Sequence, residues 1–149
     1  MSNTERVLSI SRDIAAPAET IFELIANPAR HGEFDGSGMV QEVRGGATQL
    51  TLGAKFGMDM KMGFLPYRIT NTVVEFEDNR LIAWEHAGKH RWRYQLEPLG
   101  DGSSTKVTES FDWSTARSPK MIELMGYPKK HRPNIERTLA NIAEIVESR

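Results

Sequence analysis

The sequence predicts an α+β fold in which an antiparallel sheet of seven strands is covered by one long helix. Residues 6–14 are rich in branched side chains and predict a first strand, and six further strand signals follow one another from residue 39. The last stretch, 133–149, changes to helical spacing. Because short connections require antiparallel neighbours and an apolar sheet face needs a cover, we expect this helix to lie across the sheet.

The individual elements follow from turn chemistry. Residues 16–28, "APAETIFELIANP", predict a helix that Pro28 ends, and 29–38 predict a short helical turn or loop. Turns such as "RGG", "GFLP", "EDN", "AGK" and "GDG" separate the six strands. These strands are expected at 39–44, 54–62, 67–77, 80–86, 90–99 and 104–113. The C-terminal helix should begin at Pro133 and present Ile135, Leu139, Ile142, Ile145 and Val146 on one face.

The composition is that of an ordinary globular chain. Its 149 residues suit one domain spanning 1–149, with 39% apolar and 26% charged residues. The net charge of −1 offers no long-range field for nucleic acid or an anionic membrane, and the absence of cysteine excludes disulfides and thiolate sites. No stretch has the pattern of a signal peptide or a membrane span, so we expect no integral membrane association and a cytoplasmic location.

The strand "FGMDMKMGF" (56–64) is unusual in its methionines. Met58, Met60 and Met62 share one parity, and Asp59 and Lys61 lie on the other, which is typical of a half-buried strand. Methionine is flexible and fills irregular space, so this face suits either a soft core or the wall of a ligand cavity. The strand alone leaves both interpretations open.

Two hairpins fix the register of three strands. With a type I′ turn at Asp101 and Gly102, the residue numbers of two opposite partners add up to 203. The three-residue "AGK" loop would place His86 opposite His90. The two registers agree in parity and place Glu109 and two histidines on an aromatic face, with Glu109 opposite Tyr94. The resulting rungs are Ile82, Tyr94 and Glu109; Trp84, Trp92 and Phe111; and His86, His90 and Trp113. The other face should be solvated, with Glu85, Arg91, Arg93, Gln95, Lys106, Thr108, Ser110 and Asp112.

Glu109 is the candidate for chemistry. A carboxylate on an apolar face takes up a proton unless it is paired, and the register makes Tyr94 its partner. This pair could be a satisfied cross-strand contact, could reach solvent, or could serve a pocket. His86 and His90 flank a turn, so exposed positions are favoured for them over ligand or metal contacts.

The sequence resembles a known family. The stretches "ISRDIAAPAETIFELIANPARHGEFDGSG", "KFGMDM", "RLIAWEH" and "WRYQLEPLGDGSSTKVTESFDWS", followed by the amphipathic helix, resemble the polyketide cyclase/dehydrase and lipid-transport group of the START, or Bet v 1-like (SRPBCC), superfamily. The resemblance implies a helix-grip fold, with a curved sheet around the C-terminal helix, short helices at one end and a cavity between sheet and helix. It also implies that the segment 118–131 lies near the cavity entrance.

The resemblance implies a small hydrophobic ligand, a lipid or a polyketide-like molecule, and no cofactor. Carried onto this chain, it implies ligand contacts from Met58, Met60, Trp84, His86, Trp92, Tyr94, Glu109, Phe111, Trp113, Ile135 and Leu139. The first hypothesis is therefore a carrier or sensor of a ring-containing ligand, as a monomer or a homodimer. A second is a cyclase or dehydratase with Glu109 and Tyr94 as catalytic acid and base. A third is a protein-interaction module of the co-chaperone type.

Other chemistries have little support. No GxSxG motif occurs, the loops "DGSG" and "GDGSS" lack a phosphate-loop pattern, and the basic run "KKHR" (129–132) is best interpreted as a solvated loop. The four histidines lack the spacing of metal ligands, so no metal site is predicted.

Overall fold

The computed structural model describes residues 6–46 and 49–147. The strands are β1 (Val7–Ile14), β2 (Val40–Gly46), β3 (Lys55–Met62), β4 (Leu65–Glu77), β5 (Leu81–Glu85), β6 (Arg91–Leu99) and β7 (Ser104–Asp112). The helices are α1 (Ala18–Ile25), α2 (His31–Phe34), α3 (Pro119–Leu124) and α4 (Tyr127–Glu147), and a 3-10 turn spans Pro28–Arg30. The predicted α+β class and the order of the elements are confirmed.

The seven strands form one antiparallel sheet in the order β1-β7-β6-β5-β4-β3-β2. Consecutive strands from β2 to β7 are neighbours, as their short connections require. β1 is the exception, because it pairs with β7 at the opposite end of the chain, where Val7 lies opposite Asp112. The helices lie against the sheet, so the architecture is the predicted helix-grip fold.

Both predicted hairpin registers are confirmed. Trp92 lies opposite Phe111 and Tyr94 opposite Glu109, while Trp84 and Ile82 lie opposite Trp92 and Tyr94. The predicted type I′ turn is wrong, however. Positive φ angles occur at Gly100 (56°) and Gly102 (91°), not at Asp101, whose Oδ1 instead accepts hydrogen bonds from the backbone N and Oγ of Ser103. The two flanking glycines supply the turn and the aspartate stabilises it.

The C-terminal helix begins six residues earlier than Pro133, at Tyr127. Gly126, with a φ of 73°, ends the preceding α3, and Pro128 stands in the first turn of α4, where a missing N–H costs nothing. Pro133 is therefore inside the helix rather than at its start. α1 is shorter than predicted, because Pro28 begins a 3-10 turn, in which the Asn27 side chain accepts a hydrogen bond from the backbone N of Ala29.

The outer face of the sheet carries an ion-pair network around Glu75. A bulge between Val73 and Glu75 brings Glu75 opposite Ala83 on this face. The Glu75 carboxylate accepts hydrogen bonds of 2.7 Å from Arg91 and from Arg93, and Arg93 also reaches Asp112 at 3.0 Å. Asp112 and Ser110 are buried, so the prediction that they are solvated is wrong. Arg93 covers Asp112 and donates a hydrogen bond to it, and Ser9 of the neighbouring strand β1 shares a hydrogen bond with Ser110.

The helix α4 lies in two different environments. Its second half packs into the core through Leu139, Ile142, Ala143 and Val146, all nearly or fully buried. Its first half instead faces open space between helix and sheet, which Ile135 and Thr138 border. The core is therefore solid at one end of the sheet and hollow at the other.

Candidate functional site

A cavity of about 470 Å³ lies between the inner face of the sheet and the first half of α4. This volume suits a drug-sized organic molecule. The lining is mostly apolar and aromatic, with a small number of polar groups. Residues that border it are His31, Phe34, Asp35, Ser37, Met39, Val40, Met58, Met60, Met62, Tyr67, Ile69, Asn71, Trp84, His86, His90, Trp92, Tyr94, Glu109, Phe111, Tyr127, Lys130, His131, Asn134, Ile135 and Thr138.

Nine of the eleven residues expected at the ligand line this cavity. They are Met58, Met60, Trp84, His86, Trp92, Tyr94, Glu109, Phe111 and Ile135. Trp113 and Leu139 do not line it, and for these two the expectation is wrong. Trp113 lies beyond the end of β7, where its Nε1 donates a hydrogen bond of 2.7 Å to Glu123. Leu139 lies one helical turn beyond Ile135, where the core is already closed.

One wall of the cavity is aromatic. The ring centroids of Trp84 and Tyr94 are 5.6 Å apart, and those of Trp92 and Phe111 are 4.9 Å apart. These four side chains come from three adjacent strands, because the confirmed registers place them on one face. Rings locked in this way offer a rigid surface for a flat apolar molecule.

A second part of the cavity lining consists of the methionines of β3. Met58 is buried and pairs with Ile69, and Met60 is half-buried and pairs with Tyr67. Met62, at the strand end, is 52% exposed. Met58 thus belongs to the buried core and also borders the cavity, as Met60 and Met62 do, and their flexible side chains let this wall adjust to the shape of an occupant.

Glu109 lies between the aromatic residues of the cavity wall. Its Oε2 accepts a hydrogen bond of 3.0 Å from the Tyr94 hydroxyl, so the predicted pairing is confirmed. Its Oε1 is buried and has no partner among the described residues. Burial raises the pKa of Glu109 to about 8, and the charge of Asp35 adds to the effect while the Tyr94 hydrogen bond opposes it. Glu109 is therefore mostly a neutral acid near pH 7, able to donate a proton from Oε1.

Burial also raises the pKa of Tyr94 well above its ordinary value, and the nearby Glu109 contributes. The Tyr94 phenol thus stays protonated and continues to donate to Glu109. The pair presents one hydrogen-bond donor to the cavity rather than a negative charge.

His31 is a cavity residue that the sequence did not indicate. It is fully desolvated, its Nε2 donates a hydrogen bond of 2.8 Å to the carbonyl oxygen of Ile25, and its ring stacks on Trp84 at 4.9 Å. Burial lowers its pKa to about 4. The helix α2, "HGEF", has only four residues, which is too short to show a periodic pattern. Nothing in the sequence therefore indicated that His31 faces the interior.

The expectation that His86 and His90 are exposed is wrong. Both are half-buried and line the cavity, with their rings 4.7 Å apart. His131 from α4 joins them, because its ring lies 4.6 Å from that of Phe111, and the His90 ring lies 5.3 Å from the same phenylalanine. Burial lowers the pKa of all three histidines, to about 4 for His90 and His131.

The loop after α2 is docked on the first half of α4. The backbone N of Gly36 donates a hydrogen bond of 2.8 Å to Thr138 Oγ1, and Arg137 Nε donates one of 2.9 Å to the Gly36 carbonyl. A Cβ at residue 36 would lie only 2.5 Å from the Asn134 carbonyl oxygen, so this approach requires glycine. The docked loop carries Asp35 and Ser37, which border the cavity.

The family of the chain follows from its similarity to known proteins. A family model described as polyketide cyclase / dehydrase and lipid transport matches residues 6–147. The chain belongs to this family. The resemblance drawn from the sequence is confirmed, and the family and the fold together suggest a domain that binds hydrophobic ligands.

Relatives of this family member include proteins with similar sequences and proteins with similar folds. The uncharacterized protein Rv0088 of Mycobacterium tuberculosis is 40% identical over 141 residues, which are 92% of this chain and 62% of that protein. The chain thus spans about 62% of the length of the curated relatives it matches.

Two solved structures have the same fold. Protein NE0264 from Nitrosomonas europaea superposes with a TM-score of 0.73 at 16% identity, covering 95% of this chain and 94% of that one. A START superfamily protein from Mycobacterium smegmatis gives a TM-score of 0.66 at 16% identity, covering 95% and 97%.

Neither a metal-ligand cluster nor a membrane-spanning helix is found among the described residues. Residues 6–46 and 49–147 contain no group of three or more His, Cys, Asp or Glu arranged to hold a metal ion. Within these same ranges, no helix combines the length and the apolar character needed to cross a membrane.

Proposed function

We propose that the cavity binds a small, largely apolar molecule that contains a ring and carries a carbonyl or a similar acceptor. The observation that carries this proposal is the state of Glu109. An acid kept neutral by burial, with one oxygen unpartnered, leaves a donor unsatisfied inside an apolar cavity. An acceptor on a bound molecule removes that cost, so Glu109 orients the ligand while the aromatic wall supplies most of the affinity.

The walls support a ring-containing ligand over a flexible chain. The ring centroids of Trp92 and Phe111 are 4.9 Å apart and the two rings are tilted by 44°, so a ligand ring can stack on one of them and contact the edge of the other. The flexible methionine side chains of β3 can adjust to the thickness of that ring. The volume of about 470 Å³ is large enough for two or three fused rings with substituents.

Binding of a neutral fluorescent probe, N-phenyl-1-naphthylamine, tests this proposal. We expect saturable enhancement of its emission together with quenching of the tryptophans. Met60→Trp fills the cavity from β3 and should weaken binding at least tenfold. Its matched control is Lys61→Trp, which adds the same side chain to the exposed face of the same strand and should leave binding unchanged.

The outcome that contradicts the proposal is equally specific. Equal binding by Met60→Trp and Lys61→Trp would mean that the probe sits outside the cavity. Native mass spectrometry of protein purified from its own cells provides a second test, since a retained ligand adds mass that Met60→Trp should lose.

A cyclase or dehydratase activity is the second candidate, and the raised pKa of Glu109 favours it. An acid with a pKa of about 8 populates both protonation states near neutral pH, as a general acid–base catalyst requires. In a dehydration, ionised Glu109 would take a proton from the carbon next to a ligand carbonyl. It would return that proton to the departing hydroxyl group, which leaves as water while the double bond forms.

Glu109→Gln distinguishes the two candidates. In a carrier, the amide still donates a hydrogen bond, so affinity for an acceptor-bearing ligand should change by less than tenfold. In an enzyme, the amide can neither accept nor return a proton, so turnover of a β-hydroxyketone should fall by at least a hundredfold. Absence of turnover in the native protein would leave the carrier role alone.

A further inference from the structure

Three histidines form a cluster at one end of the cavity, and the proposed function does not use it. The cluster consists of His86 at the end of β5, His90 before β6 and His131 on α4. The rings of His86 and His90 are 4.7 Å apart, and those of His90 and His131 both pack on Phe111. All three line the cavity. The β5–β6 hairpin and α4 thus both contribute imidazole groups to the same end of the cavity.

The histidine cluster differs from the other cavity histidine, His31. The Nε2–H of His31 is already satisfied by the Ile25 carbonyl oxygen. In the cluster, the buried Nδ1 of His90 has no hydrogen-bond partner among the described residues. An unpartnered buried nitrogen costs free energy unless an occupant or a proton satisfies it. The cluster is therefore incomplete as it stands, whereas His31 is not.

The positions of Glu109 and of the histidine cluster indicate which kind of ligand the cavity suits. Glu109 and Phe111 lie on the same face of β7, two residues apart, which is about 7 Å. Trp92 and Phe111 form the apolar surface beside the cluster, and His131 packs edge-on against Trp92 at 5.0 Å. A molecule stacked on this surface reaches Glu109 with one side and the histidines with the other.

We infer that the histidine cluster binds an acidic group, a carboxylate or another organic anion, attached to the ring of the ligand. This inference rests on the proposed function and names the ligand class for it, an aromatic or polycyclic acid that also carries a carbonyl. Imidazoles donate N–H groups to an anion and become cationic beside it, because the anion offsets the desolvation that keeps them neutral. Lys130, which lines the same cavity, adds a positive charge.

The other charged and titratable groups that face the cluster decide the useful pH range. Glu85, the last residue of β5, neighbours His86, and Asp35 faces His131 from the docked loop; both favour protonated histidines. Within the cluster, His86 and His131 lower the pKa of His90 in addition to its burial. Burial raises the pKa of Tyr67, which is therefore a neutral phenol in this range. Glu109 becomes anionic near pH 8 and would then repel an acid. Measurements between pH 7 and 5.5 avoid that titration.

A pair of probes isolates the anion. N-phenyl-1-naphthylamine and 8-anilinonaphthalene-1-sulfonate have the same ring system, and only the second carries a sulfonate that stays ionised throughout this range. We expect the affinity for the sulfonate to rise as the pH falls from 7 to 5.5, by up to tenfold per unit for each proton taken up. The affinity for the neutral probe should stay constant. Calorimetry in two buffers of different ionisation enthalpy measures the proton uptake directly.

Variants assign the effect to the histidines. His131→Phe and His90→Phe keep a ring in place but remove its nitrogens, and each should abolish most of the pH dependence for the sulfonate while leaving the neutral probe bound. His131→Gln serves the same purpose should the phenylalanine disturb folding, which near-ultraviolet circular dichroism checks. Lys130→Gln is the matched control, because it removes a cationic cavity residue that is not an imidazole. It should weaken the sulfonate equally at every pH.

The outcomes separate this inference from the proposed function. Binding of both probes without proton uptake, or pH dependence that survives in His90→Phe and His131→Phe, overturns the anion site and leaves the cavity as a binder of neutral molecules. Failure of both probes to bind overturns the proposed function and this inference together.

Discussion

The Tyr94 hydroxyl donates a 3.0 Å hydrogen bond to Oε2 of Glu109, while Oε1 of the same carboxyl is buried with no partner among the described residues. The two residues face each other across β6 and β7. This half-satisfied pair fixes a proton inside the cavity, and it makes the folded state sensitive to pH in a way that can be measured without any ligand.

Glu109 should make the protein less stable as the pH rises above neutrality. Its pKa of about 8 in the folded chain exceeds the ordinary 4.5, so between these values the folded state holds a proton that the unfolded state has released. Stability then falls by about 1.4 kcal/mol per pH unit. The histidines, whose pKa values are lowered by burial, act in the opposite direction, and part of their effect extends above their ordinary pKa of 6.5. The effect of Glu109 is therefore the difference between the native protein and a variant without this carboxyl, compared from pH 6.5 to 8.

Urea unfolding at pH 6.5 and pH 8 checks this prediction. Relative to Glu109→Gln, which has no proton to lose, the native protein should lose about 1.6 kcal/mol across this range, because the histidine contributions are common to both proteins. Glu97→Gln, an exposed position opposite Lys106 on the same strand pair, is the control and should behave like the native protein. The same change in stability between the two pH values in the native protein and in Glu109→Gln would contradict a buried neutral acid.

His31 should contribute to loss of stability in acid. Its pKa is about 4 in the folded chain against 6.5 ordinarily, so below pH 6.5 the unfolded state binds a proton that the buried ring refuses. His31→Phe preserves stacking on Trp84 but leaves the Ile25 carbonyl unpaired. We expect this substitution to lower the free energy of unfolding by about 1–3 kcal/mol at pH 7. In acid, it should reduce by one the number of protons taken up on unfolding, and so reduce the slope of the unfolding free energy against pH (the acid slope).

Denaturant unfolding at pH 7 and pH 5 measures both effects of His31→Phe. Glu33→Gln, on the same short helix but exposed, should change stability by less than about 1 kcal/mol and leave the acid slope unaltered. A slope that is identical in His31→Phe and the native protein would mean that His31 titrates normally.

Gly36→Ala should loosen the loop from α4. The added Cβ would lie 2.5 Å from the Asn134 carbonyl oxygen and 2.7 Å from the Thr138 N, and neither is the movable end of a side chain. The loop must shift and lose the Gly36 to Thr138 hydrogen bond, at a cost of about 1–3 kcal/mol.

Gly38→Ala provides the matched comparison in the same loop. Gly38 has a φ of 74° but no atom within 4 Å of its Cβ position, so alanine there meets strain without a clash. Thermal unfolding should show the larger loss for Gly36→Ala. The reverse order would indicate that backbone conformation, and not the close approach to α4, limits this loop.

Glu75→Gln should destabilise the sheet without changing the cavity. Glu75 accepts from Arg91 and Arg93 on the outer face, and the hydrogen bond from Arg93, followed by that from Arg91, lowers its pKa below the ordinary 4.5. Its contribution is thus present above that pH and is lost as the pH falls through the lower, folded-state value. Its removal leaves two arginines without their carboxylate, and we expect a loss of about 2 kcal/mol near pH 7.

Asp59→Asn is the control for the ion pairs. Asp59 bonds Arg68, whose side chain is 65% exposed, so its loss should cost less than about 1 kcal/mol. Urea unfolding measures stability, and titration with N-phenyl-1-naphthylamine should give native affinity for both variants. Weakened probe binding in Glu75→Gln alone would show that the two sheet faces are not independent.

The registers of β5, β6 and β7 were predictable because large aromatic residues had to share one face and the loops were short. A shift of either register by one residue would move at least one of Trp84, Trp92 and Phe111 to the other face of the sheet, so only one parity keeps all three on one face. The positions of the glycines around Asp101 were not predictable in the same way, since several turn types preserve one register.

The burial of polar residues was harder to predict, because it depends on neighbours distant in sequence. His31 is buried only because α2 packs against β3 and β5, where its ring meets Phe56 and Trp84. His86 and His90 flank a turn, yet His131 of α4 and Phe111 cover them. A hairpin end looks exposed in sequence until the element above it is known. His31, His90 and His131 were therefore not predicted as cavity residues, while Trp84, Trp92 and Phe111 were.

The pairing of the first strand with the last has a consequence for how the protein assembles. Ser9 and Ser110 share a hydrogen bond although they are 101 residues apart, and closing so long a loop carries an entropic cost that only many simultaneous contacts offset. β1, the first strand of the chain, therefore has no partner strand until β7, the last one, is available. Since β7 carries Glu109 and Phe111 and α4 follows it, the cavity cannot form on a growing chain before nearly all of these elements are present.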